Sequence, residues 1–368
     1  MIPYARQSID KADIAAVAKA LRAPLLTQGP LVARFEAALA KKCGARYAVA
    51  VGNGTEALHL AYLAAGLRSG DEVITTPNTF VATTNMLLAV GAKPMFADIR
   101  LDTYNIDEKS IEGMITPRTK AIVPVHFAGQ SADMAAIGGI AKKHDLLVIE
   151  DACHALGGDY RGLPVGGSSY SSMTVLSFHA IKSITTGEGG AVLTNDRVFY
   201  EKLVALRSHG TKKDVNGFNV MTSFGYNYRL TDIQAALGLS QLTKLGAFVK
   251  KRRAAAKLYA LHLKDVSGIT LPSEAGNSGS AWHLYVIRTI RKVDRLPLMK
   301  HLRSKGIGVN FHYPAVYRQP YYKRFRHAAS RCPNMELYHG TTLTLPLHVH
   351  LTERDIISIS RAVASYFA

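Results

Sequence analysis

The sequence predicts an α/β protein: a mostly parallel sheet with helices on both faces, followed by a smaller α/β unit. Three observations carry that expectation. Short apolar runs alternate with helix-period stretches along most of the chain, the signature of strand–helix–strand units. At 368 residues the chain is too long for one small core. After about residue 240 the pattern changes to a long basic helix and sparser strands. These observations divide the chain into a large unit, 1–240, and a small C-terminal unit, 241–368.

The elements follow in order. "MIPYARQSIDKADIAAVAKAL" opens the chain as an amphipathic helix and lacks the apolar core of a signal peptide. "RYAVAV" (46–51) is a strand and "GTEALHLAYLAAGL" (54–67) a helix. "DEVITTP" (71–77) is a strand, with a helix at about 80–90. "KPMFADI" (93–99) and "KAIVPVHF" (120–127) are strands; "SADMAAIGGIAKKHD" (131–145) is a helix and "LLVIED" (146–151) a strand. "TVLSF" (174–178) and "GAVLTN" (190–195) complete the sheet. The later unit holds a helix at roughly 239–264, "HLYVIRT" (283–289), a helix near 295–305, the strand "GVNFH" (308–312) and a terminal helix.

Composition narrows the class. Nearly half the residues are apolar and 20% are charged, as in a soluble globular protein. No apolar run is long enough to span a bilayer, so no membrane role is expected. Cys43, Cys153 and Cys332 lack any zinc-type spacing and suggest free thiols in the cytoplasm, with no metal site. The net charge of +18 would attract anions. Its cations are scattered in short clusters such as "KRRAAAK" and "YYKRFRH", which favours a solvated basic surface over a nucleic-acid face. A diphosphate-bearing substrate suits the same field.

Open parallel sheets bind ligands beyond the carboxyl ends of their strands, and three groups lie at such ends. In "GNGTEAL", Gly54 and Thr55 stand between a strand and a helix, where free N–H groups suit a phosphate or simply form an ordinary cap. In "IEDACHALG", Asp151 ends a buried strand and His154 follows three residues on; a helix cap and a structural histidine are the bland alternatives. In "SFHAIKSITTGEGG", Ser177 ends a strand and Lys182 is the one lysine of the stretch. A lysine desolvated between strands has a lowered pKa, and its neutral amine can attack a carbonyl. "GEGG" lacks the spacing of a nucleotide-binding phosphate loop. Together the three groups fit pyridoxal phosphate (PLP), which needs a lysine, an acid for its ring nitrogen and donors for its phosphate. Phe80, in "TPNTFVAT", offers an aromatic face, or is a core aromatic at a helix start.

The sequence resembles the DegT/StrS family of PLP-dependent sugar nucleotide aminotransferases over essentially its whole length. The matching stretches are "LTQGPLVARFEAALA", "ITTPNTFVATTNMLLAVGAKPMFADI", "EDACHALGGDY", "SFHAIKSITTGEGGAVLTND", "RSHG", "GYNYRLTDIQAALGLSQL" and "HYPAVY". The resemblance implies PLP fold type I: a large domain with a mixed, mostly parallel sheet, and a small C-terminal domain. It implies that Lys182 carries PLP, that Asp151 pairs with the ring nitrogen and that His154 sits beside the ring. By the same resemblance Gly54, Thr55 and Ser177 bind the phosphate and Phe80 stacks on the ring. Asn227, otherwise an unremarked turn residue, would reach the phosphate of the other subunit's cofactor, making the active unit a homodimer. His312 and Tyr313 would approach the sugar nucleotide.

Within the family the chain is similar to the pseudaminic acid branch, which aminates the 4-keto group of a UDP-linked 6-deoxy-N-acetylhexosamine. "SFHAIK" followed by "ITT", and "HALG" after the acid strand, carry that similarity. Many members have Gln at the position of His154. The implied donor is L-glutamate. The alternatives are another NDP-4-keto sugar, of perosamine or bacillosamine type, or a PLP-binding regulator without turnover. Related sugar dehydratases replace the lysine with His, so Lys182 argues against that chemistry.

Overall fold

The computed structural model describes residues 1–167 and 169–368. Seven strands form the central sheet: β1 (Tyr47–Val51), β2 (Glu72–Thr75), β3 (Lys93–Phe96), β4 (Thr119–Val123), β5 (Leu147–Asp151), β6 (Met173–Ser177) and β7 (Gly190–Thr194). Their order is β1-β7-β6-β5-β4-β2-β3. Every neighbouring pair is parallel except those of β7, which runs antiparallel to both β1 and β6. The carboxyl ends of β1, β2, β4, β5 and β6 therefore share one edge.

Helices cover both faces because successive strand residues point to opposite sides. Val49, Val175 and Val192 face a core built with Leu58 and Tyr62 of the helix Gly54–Ala64 and Leu203 of Arg197–Arg207. Their neighbours Ala50, Leu176 and Leu193 face the opposite core, with Phe35 and Leu39 of Pro30–Cys43 and Leu245 of the long helix Asp232–Leu263. Further along that second face, Ile74, Ile122 and Val148 pack on Ile137 of Met134–Lys143. Short polar residues start these helices. Asn53, Asp133, Asp196 and Thr231 each accept a backbone N–H, which satisfies one of the free donors of a first turn.

A separate core lies in the later part of the chain. There Ile269–Thr270, Tyr285–Thr289 and Thr342–Leu345 form an antiparallel sheet in that order. Ile287, Leu343 and Leu345 pack against Leu298, Ile356 and Ile359. Tyr259 and Leu263 at the end of Asp232–Leu263 join the same core. That helix thus passes unbroken from one core to the other, and the 240/241 division expected from sequence falls inside it. The first residues also reach the later unit, through the Ile2–Ile307 bridge.

Several elements differ from expectation. The long helix begins at Asp232 rather than near 239, because Thr231 and Gln234 form a capping box. The strand expected at 308–312 is reduced to one bridge between Asn310 and Thr344, since the chain then turns toward the central sheet. Helix Pro30–Cys43 and strand Thr342–Leu345 were not foreseen by periodicity.

Candidate functional site

The candidate residues gather at the shared carboxyl edge. Asp151 is the last residue of β5 and is buried. Its Oδ2 accepts a hydrogen bond from Thr83 Oγ1 at 2.6 Å, and its Oδ1 accepts from the Cys153 N–H at 3.2 Å. Thr83 lies in the first turn of the helix Ala82–Ala89, and its hydroxyl is 2.7 Å from that of Thr79.

Ser177 ends β6, the strand beside β5, and is buried. Gly54 opens the helix Gly54–Ala64 directly against it: a Cβ on Gly54 would lie 3.0 Å from Ser177 Cβ, 3.3 Å from its Oγ and 3.4 Å from Cys153 Sγ. Any larger residue would crowd the gap between the helix start and the strand end. The Asn53 side chain caps the Glu56 N–H and the Asn53 carbonyl accepts from Ala57. The N–H groups of Gly54 and Thr55 therefore stay available at the positive end of the helix.

Lys182 follows β6 in a polar turn, its N–H bonded to the His179 carbonyl at 2.9 Å. The residue is half-buried, and among the described residues no hydrogen bond or ion pair engages its amine. Burial lowers its pKa; Cys153, Asp151 and Glu188 pull the other way. The amine is thus close to an acid yet unpaired, and its neutral form is more accessible than in an ordinary lysine.

His154 is buried. Its Nε2 is 3.1 Å from the Tyr313 hydroxyl, and its Nδ1 is buried with no protein partner among the described residues. Burial, then the charges of Lys182 and His312, hold its pKa well below the usual histidine range. Tyr313 arrives from the later unit, with its N–H on Asn78 Oδ1 at 3.3 Å. Burial, then Asp151 and Cys153, keep the Tyr313 phenol protonated by raising its pKa. Phe80 lies 6.0 Å from the Tyr313 ring, centroid to centroid, and is 58% exposed, so one ring face is open.

Two candidates make no side-chain hydrogen bond to the others. His312 is buried, with Nδ1 2.8 Å from Thr344 Oγ1, its carbonyl accepting from Tyr338 and its ring beside Tyr4. Burial and the Lys182 charge depress its pKa to about 4. Asn227 is exposed; its backbone bridges Ser208, and its side chain hydrogen-bonds none of the other candidates. Thr83, Asn78 and His283 complete the site and were missed in the sequence. Thr79 and Thr83 carried no helical signal, since Thr79 precedes the helix Ala82–Ala89 and meets Thr83 through the bend before it. Asn78 and His283 carried none, since their partners are distant in the chain.

A model of the DegT/DnrJ/EryC1/StrS aminotransferase family matches residues 7–364. The chain is 40% identical to the spore coat polysaccharide biosynthesis protein SpsC of Bacillus subtilis, covering 98% of this chain and 96% of the relative. It superposes with a TM-score of 0.95 on Helicobacter pylori PseC, an aminotransferase involved in the biosynthesis of pseudoaminic acid, at 37% identity over 100% of this chain and 99% of that one. The PLP form of Spr1654 from Streptococcus pneumoniae matches with a TM-score of 0.94 at 28% identity, over 99% and 98% of the two chains.

Proposed function

Because the chain belongs to the DegT/DnrJ/EryC1/StrS aminotransferase family and is a PLP-dependent sugar aminotransferase, we propose that it moves the amino group of L-glutamate onto a 4-keto-6-deoxy sugar nucleotide. The acceptor proposed is a UDP-linked N-acetylhexosamine, as in pseudaminic acid biosynthesis. The similarity to PseC and the histidine at position 154 support that choice.

The residues present fit the cofactor. The gap beside Gly54 that a Cβ would fill, the N–H groups of Gly54 and Thr55, and the Ser177 hydroxyl suit its phosphate. When bound, PLP supplies an aldehyde for amines and an electron-withdrawing pyridine ring. Lys182 would carry the cofactor and, when its amine is free, move a proton to and from the donor's α-carbon. Asp151 would hold the ring nitrogen protonated, with Thr83 fixing the carboxylate that does so. His154, backed by Tyr313, would sit beside the ring, and the open face of Phe80 would cover it. His312 and Tyr313 would border the sugar nucleotide. Asn227 would serve the phosphate of the second subunit in a homodimer, which accords with its exposure on its own chain.

The observation that carries the reading is the half-buried Lys182 amine, unpaired among the described residues, at the edge where β5 and β6 end in Asp151 and Ser177. The test is a screen of UDP-, GDP- and dTDP-linked 4-keto sugars with L-glutamate, following 2-oxoglutarate and the aminated sugar by mass spectrometry. Turnover should be fastest with the UDP-linked N-acetylhexosamine. Preference for a GDP- or dTDP-linked sugar would move the protein to another branch. Absence of transfer to every acceptor would overturn the assignment of substrate.

A further inference from the structure

Among the described residues one hydrogen bond holds the His154 ring, between Nε2 and the Tyr313 hydroxyl. Its Nδ1 has no partner among the described residues. A ring bonded at one atom can pivot about that bond, so packing must set its plane. Three rings surround it: His283 at 4.4 Å between centroids, Tyr313 at 5.9 Å and Phe127 at 6.1 Å. His283 is the nearest.

The His283 backbone is fixed on both sides. Its N–H donates to the Ala128 carbonyl at 2.8 Å, and its carbonyl accepts from Arg252 Nη1 at 3.2 Å. The same nitrogen reaches the carbonyls of Trp282 at 3.4 Å and Leu347 at 2.9 Å. Arg252 is 3% exposed and makes no ion pair among the described residues, so these carbonyls are its main compensation for burial. Gly129 allows the two segments to meet. A Cβ there would lie 2.7 Å from the Trp282 nitrogen and 2.8 Å from the His283 nitrogen, and its φ of +103° suits glycine.

We infer that His283 is a positioning residue: held by Arg252 and the Ala128 carbonyl, its imidazole fixes the plane of His154 so that Nε2 stays on the Tyr313 hydroxyl. This rests on the reading of His154 as a residue beside the cofactor. Lys182 presses on both rings as a cation and Arg252 on His283, His312 lies near as a further imidazole, Tyr313 is the hydrogen-bond partner, and Asp151 is the acid facing Tyr313. Burial and those cations hold both imidazoles well below the usual histidine range. They meet as neutral rings, without mutual repulsion.

The test uses the PLP-loaded enzyme with His283→Ala and His283→Phe, each alone and combined with His154→Gln. Two quantities are read: the pH midpoint of the cofactor's visible absorption, and kcat against KM for the donor. His283→Ala should move the midpoint by about half a pH unit or more and lower kcat about tenfold, with KM changed less than about twofold. His283→Phe, which refills the ring's space, should restore both. In the His154→Gln background His283→Ala should add nothing, because the residue through which it acts is gone. Should His283→Ala not fold, His283→Asn carries the same test. A wild-type midpoint and kcat in the Ala or Asn variant, or independent multiplication of the His154 and His283 effects, overturns the inference. A His154→Gln enzyme identical to wild type removes the role of His154 itself and the inference with it.

Discussion

Thr83→Val should destabilise the protein chiefly through Asp151, the 3.2 Å contact of the Thr83 hydroxyl to the Phe80 carbonyl being the longer one. The substitution exchanges a hydroxyl for a methyl at nearly constant shape, in a residue 1% exposed. It deletes the 2.6 Å bond to Asp151 Oδ2 and leaves that carboxylate with the Cys153 N–H, at 3.2 Å, as its remaining partner among the hydrogen bonds to its side chain. A hydrogen bond to a charged group contributes about 1.5–3 kcal/mol. The Thr79 hydroxyl, 2.7 Å away, also loses its neighbour, although it can turn to another acceptor. The net expectation is a loss of about 2–3 kcal/mol in unfolding free energy. The assay is urea denaturation of the PLP-free protein, comparing midpoints at equal slope. The loss must be specific to the carboxylate. In an Asp151→Asn background the same Thr83→Val change should therefore be smaller by at least about 1 kcal/mol. A loss below about 0.5 kcal/mol, or an undiminished loss in the Asp151→Asn background, would refute the account of how Asp151 is held.

Two further outcomes follow from the same geometry. Burial depresses the pKa of His312 and of His348 to about 4, with the charges of Lys182 and Arg252 respectively as the next causes. In the unfolded chain a histidine titrates near 6.5, so the unfolded state takes up protons first as pH falls. The stability these groups permit is complete above about pH 6.5 and is lost as pH falls toward about 4, on the order of 3 kcal/mol each. Urea midpoints at steps between pH 7.5 and pH 4.5 should fall, His348→Leu should flatten that fall, and a flat wild-type profile would contradict it. The second outcome concerns assembly. Mixing Lys182→Ala with Asn227→Ala protein should restore activity through one intact site per mixed dimer. Verified subunit exchange without recovery would show that Asn227 serves its own chain or no phosphate.

The sheet was legible because its signals are local. Apolar runs such as "LLVIED" and "TVLSF" are buried on both faces, and their last polar residues, Asp151 and Ser177, fall at the edge where an open sheet binds ligands. Lys182 stands out in the sequence as a candidate for a similar reason, being one cation in a stretch too small and apolar to be a solvated loop. The long helix was mis-started although its capping box, Thr231 to Gln234, was in plain view. What could not be read is how the ends are supported. Thr83 bonds Asp151 across 68 positions, Asn78 meets Tyr313 across 235, and Tyr313 meets His154 across 159. No periodicity encodes such pairings.

That division has a physical cause. Strand-end residues owe their place to backbone pairing, which the sequence pattern specifies. Their orientation comes from side chains delivered by other elements, chiefly the turn at 78–83 and the segment around Tyr313. Both meet at one point: Asn78 holds the Tyr313 N–H, the Val316 N–H donates to the Pro77 carbonyl at 3.1 Å, and Thr83 holds Asp151 from the helix that follows. The later unit thus docks on the same turn that orients the acid. Loosening that docking should disturb Asp151 even though no residue of the later unit touches its carboxylate by hydrogen bond. Asn78→Ala removes the side-chain half of the contact, and also the Asn78 Nδ2 bond to the Tyr104 carbonyl at 3.1 Å, and leaves the Pro77 carbonyl in place. In urea denaturation the part of its effect that passes through the docking should travel with that of Thr83→Val, so the double variant should lose less than the sum of the two single losses; full additivity would refute the coupling.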